Sequence, residues 1–116
     1  MNLLETQIQF EELWFLKADD KPIPGMRLSD KAWIVYFTAA WCAPCKALDL
    51  DKIVDAANAK NIPLWKCDDT INNYTGGYCG VKRLPTFIMM RPKSIVSTLQ
   101  SAKTQDVVDW ISKHLD

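Results

Sequence analysis

Trp33 to Thr38 is an almost unbroken apolar run, the pattern of a strand covered on both faces at the centre of a sheet. Downstream the period lengthens. From Lys46 to Lys60 apolar side chains recur at helical intervals with charges between them, and Asn61 with Pro63 ends the run. Ile62 to Cys67 reads as the next strand, parallel to the first because a helix separates the two. Asp68 to Tyr78 is polar and glycine-bearing, which predicts a short helix partly replaced by loop. Thr86 to Met90 and Ile95 to Leu99 form an antiparallel hairpin around Arg91-Pro92-Lys93-Ser94, with Pro92 suited to the second turn position. Gln105 to Leu115 is a closing helix with Val107, Val108, Trp110, Ile111 and Leu115 as its buried stripe, Thr104 as its cap and His114 in its last turn. At the other end, Thr6 to Phe10 alternates like a short edge strand, and Phe10 to Lys17 reads as a short amphipathic helix that turns Phe10, Leu13 and Trp14 to the core. Ala18 to Lys31 is turn-rich and predicts a loop. The succession of strands and helices is that of the α/β class.

Composition narrows this to one small domain: 116 residues, 48% of them apolar, suffice for a single core. The 14 basic and 14 acidic residues cancel and form no blocks, so nothing points to nucleic acid or an anionic membrane surface as partner. No stretch approaches the roughly 20 apolar residues of a membrane span. Met1 to Glu5 lacks the basic start and apolar core of a signal peptide, which predicts a cytoplasmic, reducing location for a chain that begins at Met1. In such a compartment a cysteine pair is catalytic more often than it is a permanent staple.

That expectation matters because the apolar run passes straight into Trp41-Cys42-Ala43-Pro44-Cys45-Lys46. A strand, then Cys-X-X-Cys, then a helix puts Cys42 at a helix N-terminus, where unpaired N–H groups and the helix dipole favour an ionised sulfur, and Lys46 adds a cation in the first turn. Thiols in such settings titrate at roughly 3.5 to 7.5 instead of roughly 8.5, so a useful fraction is nucleophilic at neutral pH. Cys45 lies one turn along and can close a disulfide onto Cys42, which makes the pair a two-electron switch. The same motif can be half of a zinc site, but zinc needs a second close pair of ligands, and Cys67, Cys79 and His114 are scattered.

Tyr36 to Lys46, with Cys42-Ala43-Pro44-Cys45 inside it, resembles the active-site segment of the thioredoxin family, and Cys79-Gly80-Val81-Lys82-Arg83-Leu84-Pro85-Thr86-Phe87 resembles its second signature. The two stand in the family's order and at its usual separation. The resemblance implies a thioredoxin fold over residues 1–116, with a central mixed sheet of four to five strands flanked by helices on both faces. It makes 18–31 an extended loop, either a tolerated surface insertion or an added hairpin of the tryparedoxin kind. It also implies a protein-disulfide reductase in which Cys42 is the nucleophile and Cys45 the resolving thiol. Cys42 is expected to be exposed and Cys45 shielded. Pro85 is implied to be cis and to lie against the pair, with the Leu84 backbone pairing to an incoming substrate. Trp41, Ala43, Pro44, Leu84 and Pro85 would form an apolar collar, completed by Ser101-Ala102. No cofactor beyond the Cys42-Cys45 disulfide is implied and no metal. The implied partners are disulfide-bearing proteins and a thioredoxin reductase or equivalent electron donor, and the implied state is a monomer.

The chain also departs from the family pattern. Many thioredoxins bury an aspartate beneath the second cysteine and often pair it with a lysine; Tyr36 and Leu64 occupy those positions. Water or the Tyr36 hydroxyl must then accept the Cys45 proton, and the missing charge eases thiolate formation and tilts the protein towards a milder reductant. Leu50 replaces the proline that kinks the following helix in many members, which predicts a straighter helix. Ala-Pro stands between the cysteines, without the histidine of strong oxidants. Cys79 falls near the Pro85 loop, where oxidation could regulate docking, whereas Cys67 inside a strand reads as a buried, inert thiol. Two alternatives stay open on the sequence: a dedicated electron carrier or weak oxidant for one partner, and a non-enzymatic scaffold built on the same fold.

Overall fold

The computed structural model describes residues 1–15 and 32–114. The extended loop expected over 18–31 lies outside the described residues. The elements run β1 (Asn2–Leu3), α1 (Gln7–Phe15), β2 (Trp33–Thr38), α2 (Ala43–Lys46), α3 (Leu50–Ala59), β3 (Leu64–Asp68), α4 (Asn73–Tyr78), β4 (Thr86–Arg91), β5 (Ser94–Gln100) and α5 (Thr104–His114). One five-stranded sheet has the order β1-β3-β2-β4-β5. β3 is parallel to β1 and β2, while β4 is antiparallel to β2 and β5.

All six residues of β2 are buried, as a central strand with both faces covered requires. Its alternation assigns the two cores. Trp33, Val35 and Phe37 join Trp65, Cys67, Ile88 and Met90 in a layer that also holds Leu4, Phe10 and Leu13. Ile34 and Tyr36 point the other way, with Leu64, Phe87 and Met89, into the layer closed by Ile53 and Ala57 of α3 and Val107, Trp110 and Ile111 of α5. The aligned registers Val35↔Trp65 and Val35↔Ile88 keep each layer continuous across the sheet.

Two local expectations are corrected. The alternation over Thr6 to Phe10 is not a strand: the edge strand is Asn2–Leu3, and α1 starts at Gln7. A capping box overrides the alternation, since Thr6 Oγ1 accepts from Gln9 N–H at 3.2 Å while Gln9 Oε1 accepts from Thr6 N–H at 3.0 Å and Glu5 N–H at 2.7 Å. Nor is the helix after the cysteines straight, despite Leu50. It breaks between Lys46 and Leu50, and Asp49 restarts it by accepting from Lys52 N–H at 3.3 Å. The Asp49 N–H in turn donates to Thr104 Oγ1 at 2.9 Å, so the hydroxyl expected to cap α5 ties the start of α3 to it.

The polar segment after β3 does yield only a six-residue helix. Asn72 caps it by accepting from Thr75 N–H and reaches back to the Leu4 carbonyl at 3.4 Å. At the β4–β5 turn Lys93 takes a left-handed backbone (φ 59°), and its N–H donates to the Trp14 carbonyl at 3.0 Å. Among the described residues no helix is long and apolar enough to cross a membrane.

Candidate active site

β2 delivers the chain to the site, and the end of β3 holds it there. Asp69 N–H donates to the Thr38 carbonyl at 2.8 Å, and Ala40 N–H donates to Thr70 Oγ1 at 3.2 Å. Thr70 is itself fixed, because its N–H donates to Asp68 Oδ1 at 2.9 Å. The turn closes where Cys42 N–H donates to the Ala39 carbonyl at 3.1 Å. Cys42 then adopts extended backbone angles (φ −82°, ψ 101°) as the N-cap of α2, and its Sγ accepts from Cys45 N–H at 3.3 Å. Pro44 is tolerated in this first turn because its missing N–H would have no helical partner. A disulfide joins Cys42 to Cys45 across a Cα–Cα distance of 5.3 Å.

The pair packs with Ala39 in a small cluster of its own, and half-buried Leu84 covers it. Pro85 is buried behind Leu84, and the Leu84–Pro85 peptide bond is cis. Thr86 Oγ1 donates to the Arg83 carbonyl, and Val81 N–H donates to the Gly76 carbonyl at 2.9 Å, so the loop is anchored at both ends. Gly80 allows its entry with a φ of 76°. Around the disulfide, Trp41 is 68% exposed and Ala43, Pro44 and Lys46 are exposed. A groove of about 140 Å³ runs beside Trp41 and is lined by Lys82, Arg83 and Leu84, with Asp69 and Phe37 also in its wall.

The expectation that Cys42 is exposed is corrected: in the disulfide form it is 3% exposed, against 5% for Cys45. The capping geometry explains this, since it turns Sγ back over the first turn towards Cys45 N–H and leaves the surface to Trp41 and its neighbours. Ser101, expected at the rim, braces the start of α5 by accepting from Lys103 N–H at 3.1 Å and donating to Asp106 Oδ2 at 3.0 Å.

Tyr36 belongs to the core layer beneath α3 and α5, stacked on Phe87 at 4.8 Å between ring centroids, and Leu64 is buried in the same layer. Burial pushes the Tyr36 hydroxyl above its ordinary value of 10.0, partly opposed by a hydrogen bond with the Thr38 side chain. Cys67 and Cys79 are free thiols, each pushed up to about 12, chiefly by burial. For Cys67 the approach of Cys79, Asp69 and Asp68 adds to the shift. Cys79 lies in the wall of a separate cavity of about 330 Å³ that also includes Lys82, Arg83, Thr98 and Gln100. Among the described residues no three His, Cys, Asp or Glu side chains group to hold a metal ion.

Sequence reasoning passed over Thr70 and Asp69, whose bonds hold the turn before Cys42. Their only trace in the sequence is a polar run directly after an apolar strand.

A strand that opens into a disulfide-forming Cys-X-X-Cys pair, with an X-Pro loop packed over it on a mixed sheet, defines a thiol–disulfide exchange domain. Residues 25–113 match the sequence model of the thioredoxin family. The chain is 26% identical to a thioredoxin of Bacillus subtilis over 102 residues, covering 86% of this chain and 97% of that one. It is 30% identical to a thioredoxin H-type 2 of Nicotiana tabacum over 90 residues, covering 76% and 75%. The crystal structure of the Malassezia sympodialis thioredoxin superposes on the whole chain and on 91% of its own, with a TM-score of 0.78 at 20% identity. The chain therefore belongs to the thioredoxin family. With its disulfide-forming cysteine pair intact, it is a thiol–disulfide oxidoreductase of the protein-disulfide reductase class.

Proposed function

We propose that the protein reduces protein disulfides by dithiol exchange, with Cys42 as nucleophile and Cys45 as resolving thiol. The observation that carries this reading is the disulfide itself, seated at the start of α2 with Leu84 packed against it and Trp41 exposed beside it. In the reduced protein the Cys42 thiolate attacks one sulfur of a substrate disulfide. That bond breaks, the departing sulfur takes up a proton, and a mixed disulfide forms. Cys45 then gives up its proton and attacks Cys42 Sγ. The mixed disulfide breaks, the second substrate sulfur leaves and is protonated, and Cys42–Cys45 is left oxidised. Two electrons pass to the substrate, and a thioredoxin reductase or an equivalent dithiol donor returns them.

The hydrogen bond from Cys45 N–H to Cys42 Sγ favours the anionic sulfur over the thiol. Tyr36, held protonated by burial, offers no base, so water takes the Cys45 proton. Trp41, Ala43, Pro44, Leu84 and Pro85 form the docking collar, with Ser101-Ala102 at its margin. The cis Leu84–Pro85 bond belongs to the segment whose backbone at Leu84 pairs with the substrate chain. Lys46 adds a cation beside Cys45. The protein acts as a monomer in the cytoplasm and uses no cofactor beyond its own disulfide.

Cys45→Ser is expected to accumulate a covalent adduct with a disulfide-bonded protein such as insulin, released by dithiothreitol and read by mass. Cys42→Ser should form none. An adduct held by Cys45 in the Cys42→Ser variant, with none in Cys45→Ser, would reverse the two roles.

A further inference from the structure

The apolar collar explains affinity for an unfolded or flexible segment around a disulfide, but it does not choose among disulfides. Two cations stand directly on that collar. Lys82 and Arg83 immediately precede Leu84-Pro85, both are exposed, and neither has an ion-pair partner among the described residues. They line the groove beside Trp41 and also the larger cavity bounded by Thr98 and Gln100, so chain lying in either depression meets both charges. The groove holds one opposing group, the half-buried Asp69, whose Oδ1 lies 3.7 Å from where a Cβ on Gly76 would fall. Two cations against one carboxylate leave the groove positive, while the chain as a whole is neutral. The charge is thus local to the docking edge.

We propose that Lys82 and Arg83 make this site selective for disulfides flanked by acidic residues. The inference rests on the disulfide-exchange reading above and names the substrate class for that site. A segment with Asp or Glu beside its reacting cysteine sets its carboxylates against the two cations as its backbone meets Leu84. A segment with Lys or Arg there meets like charge. Rim charges of this kind act mainly on the encounter rate and on the choice of partner, and salt weakens them. Exposed pairs are individually modest, so two of them give a preference of about three- to tenfold at low salt. The redox step is unchanged: two electrons leave the dithiol, the substrate disulfide becomes two thiols, and Cys42–Cys45 closes.

The test uses the reduced protein and two disulfide-bridged peptides of matched sequence, one with Asp and Glu around its cysteines and one with Lys. Single-turnover oxidation is followed by tryptophan fluorescence at rising salt. The wild-type protein is expected to react about three- to tenfold faster with the acidic peptide at low salt, and the two rates should converge by roughly 1 M salt, where the Debye length is about 3 Å. The Lys82→Gln, Arg83→Gln double variant should lose the preference, and Arg83→Glu should invert it. Equal wild-type rates, or a preference that survives the double variant, would overturn the charge assignment and leave the exchange reading standing. Reduction of neither peptide by the wild-type protein would overturn the exchange reading and this one with it.

Discussion

Cys42 and Cys67 are almost equally buried, at 3% and 1% exposure, yet the fold gives them opposite chemistry. The difference lies in what faces each sulfur. Cys42 Sγ accepts a hydrogen bond from a backbone N–H at the first turn of a helix, an arrangement that favours the anion. Cys67 Sγ instead donates, to the Asn72 carbonyl at 3.5 Å, and burial presses against its ionisation, with Cys79, Asp69 and Asp68 adding to the effect. Cys79 is half-buried against the same core layer and is likewise pushed up to about 12. Solvent exposure alone would have ranked these thiols wrongly: half-buried Cys79 is more open than Cys42. Burial raises both free thiols, with neighbouring charge adding to it at Cys67, whereas Cys42 Sγ meets a donor N–H at a helix start.

The largest expected effect is on reactivity. In the reduced protein at pH 7, iodoacetamide should label Cys42 at least about a hundred times faster than Cys67 or Cys79, as peptide mapping by mass would show. Comparable rates would erase the contrast. A second effect appears at alkaline pH. The native thiols of Cys67 and Cys79 titrate near 12 against an ordinary 9.0, so the unfolded chain releases these protons first as pH rises. Their contribution to stability is complete below about pH 9 and is lost between there and about 12. Urea midpoints should therefore fall over that interval, and Cys67→Ala should flatten the fall. The smallest effect concerns the cover over Cys67. Asn72→Ala removes the cap of α4 and the bonds to Leu4 and Thr75, at a cost of about 1 to 2 kcal/mol. Labelling of Cys67 should rise by about tenfold through local opening, with Cys42 unaffected.

What could be read from the sequence was mostly what is local. Strand, Cys-X-X-Cys and helix are contiguous, and Leu84-Pro85-Thr86 announces a proline at the mouth of an apolar strand, so the two halves of the site were legible before any fold was known. The break after Lys46 was missed although Asp49 marks it as a local N-cap; the bond from Asp49 N–H to Thr104, 55 residues away, could not be read at all. The burial of Cys42 was hidden for a related reason: Leu84, distant in sequence, packs over the pair. The mistaken strand over Thr6 to Phe10 had a readable remedy, since Thr-X-X-Gln spells a capping box that takes precedence over an alternation of five residues. Lys82 and Arg83 stood in plain view, but only the groove beside Trp41 shows them sharing one edge of the site.

The position of β4 has a consequence for synthesis. It pairs with β2 in the interior of the sheet and follows the loop that covers the cysteines, yet it is the fourth strand to be made. A growing chain that has reached Tyr78 carries Cys42 and Cys45 with neither Leu84 above them nor Phe87 beneath the neighbouring layer. Until the last third of the polypeptide has emerged, the Cys42–Cys45 pair lacks its cover, and the environment of the nascent chain decides whether that pair meets its partner or a stranger.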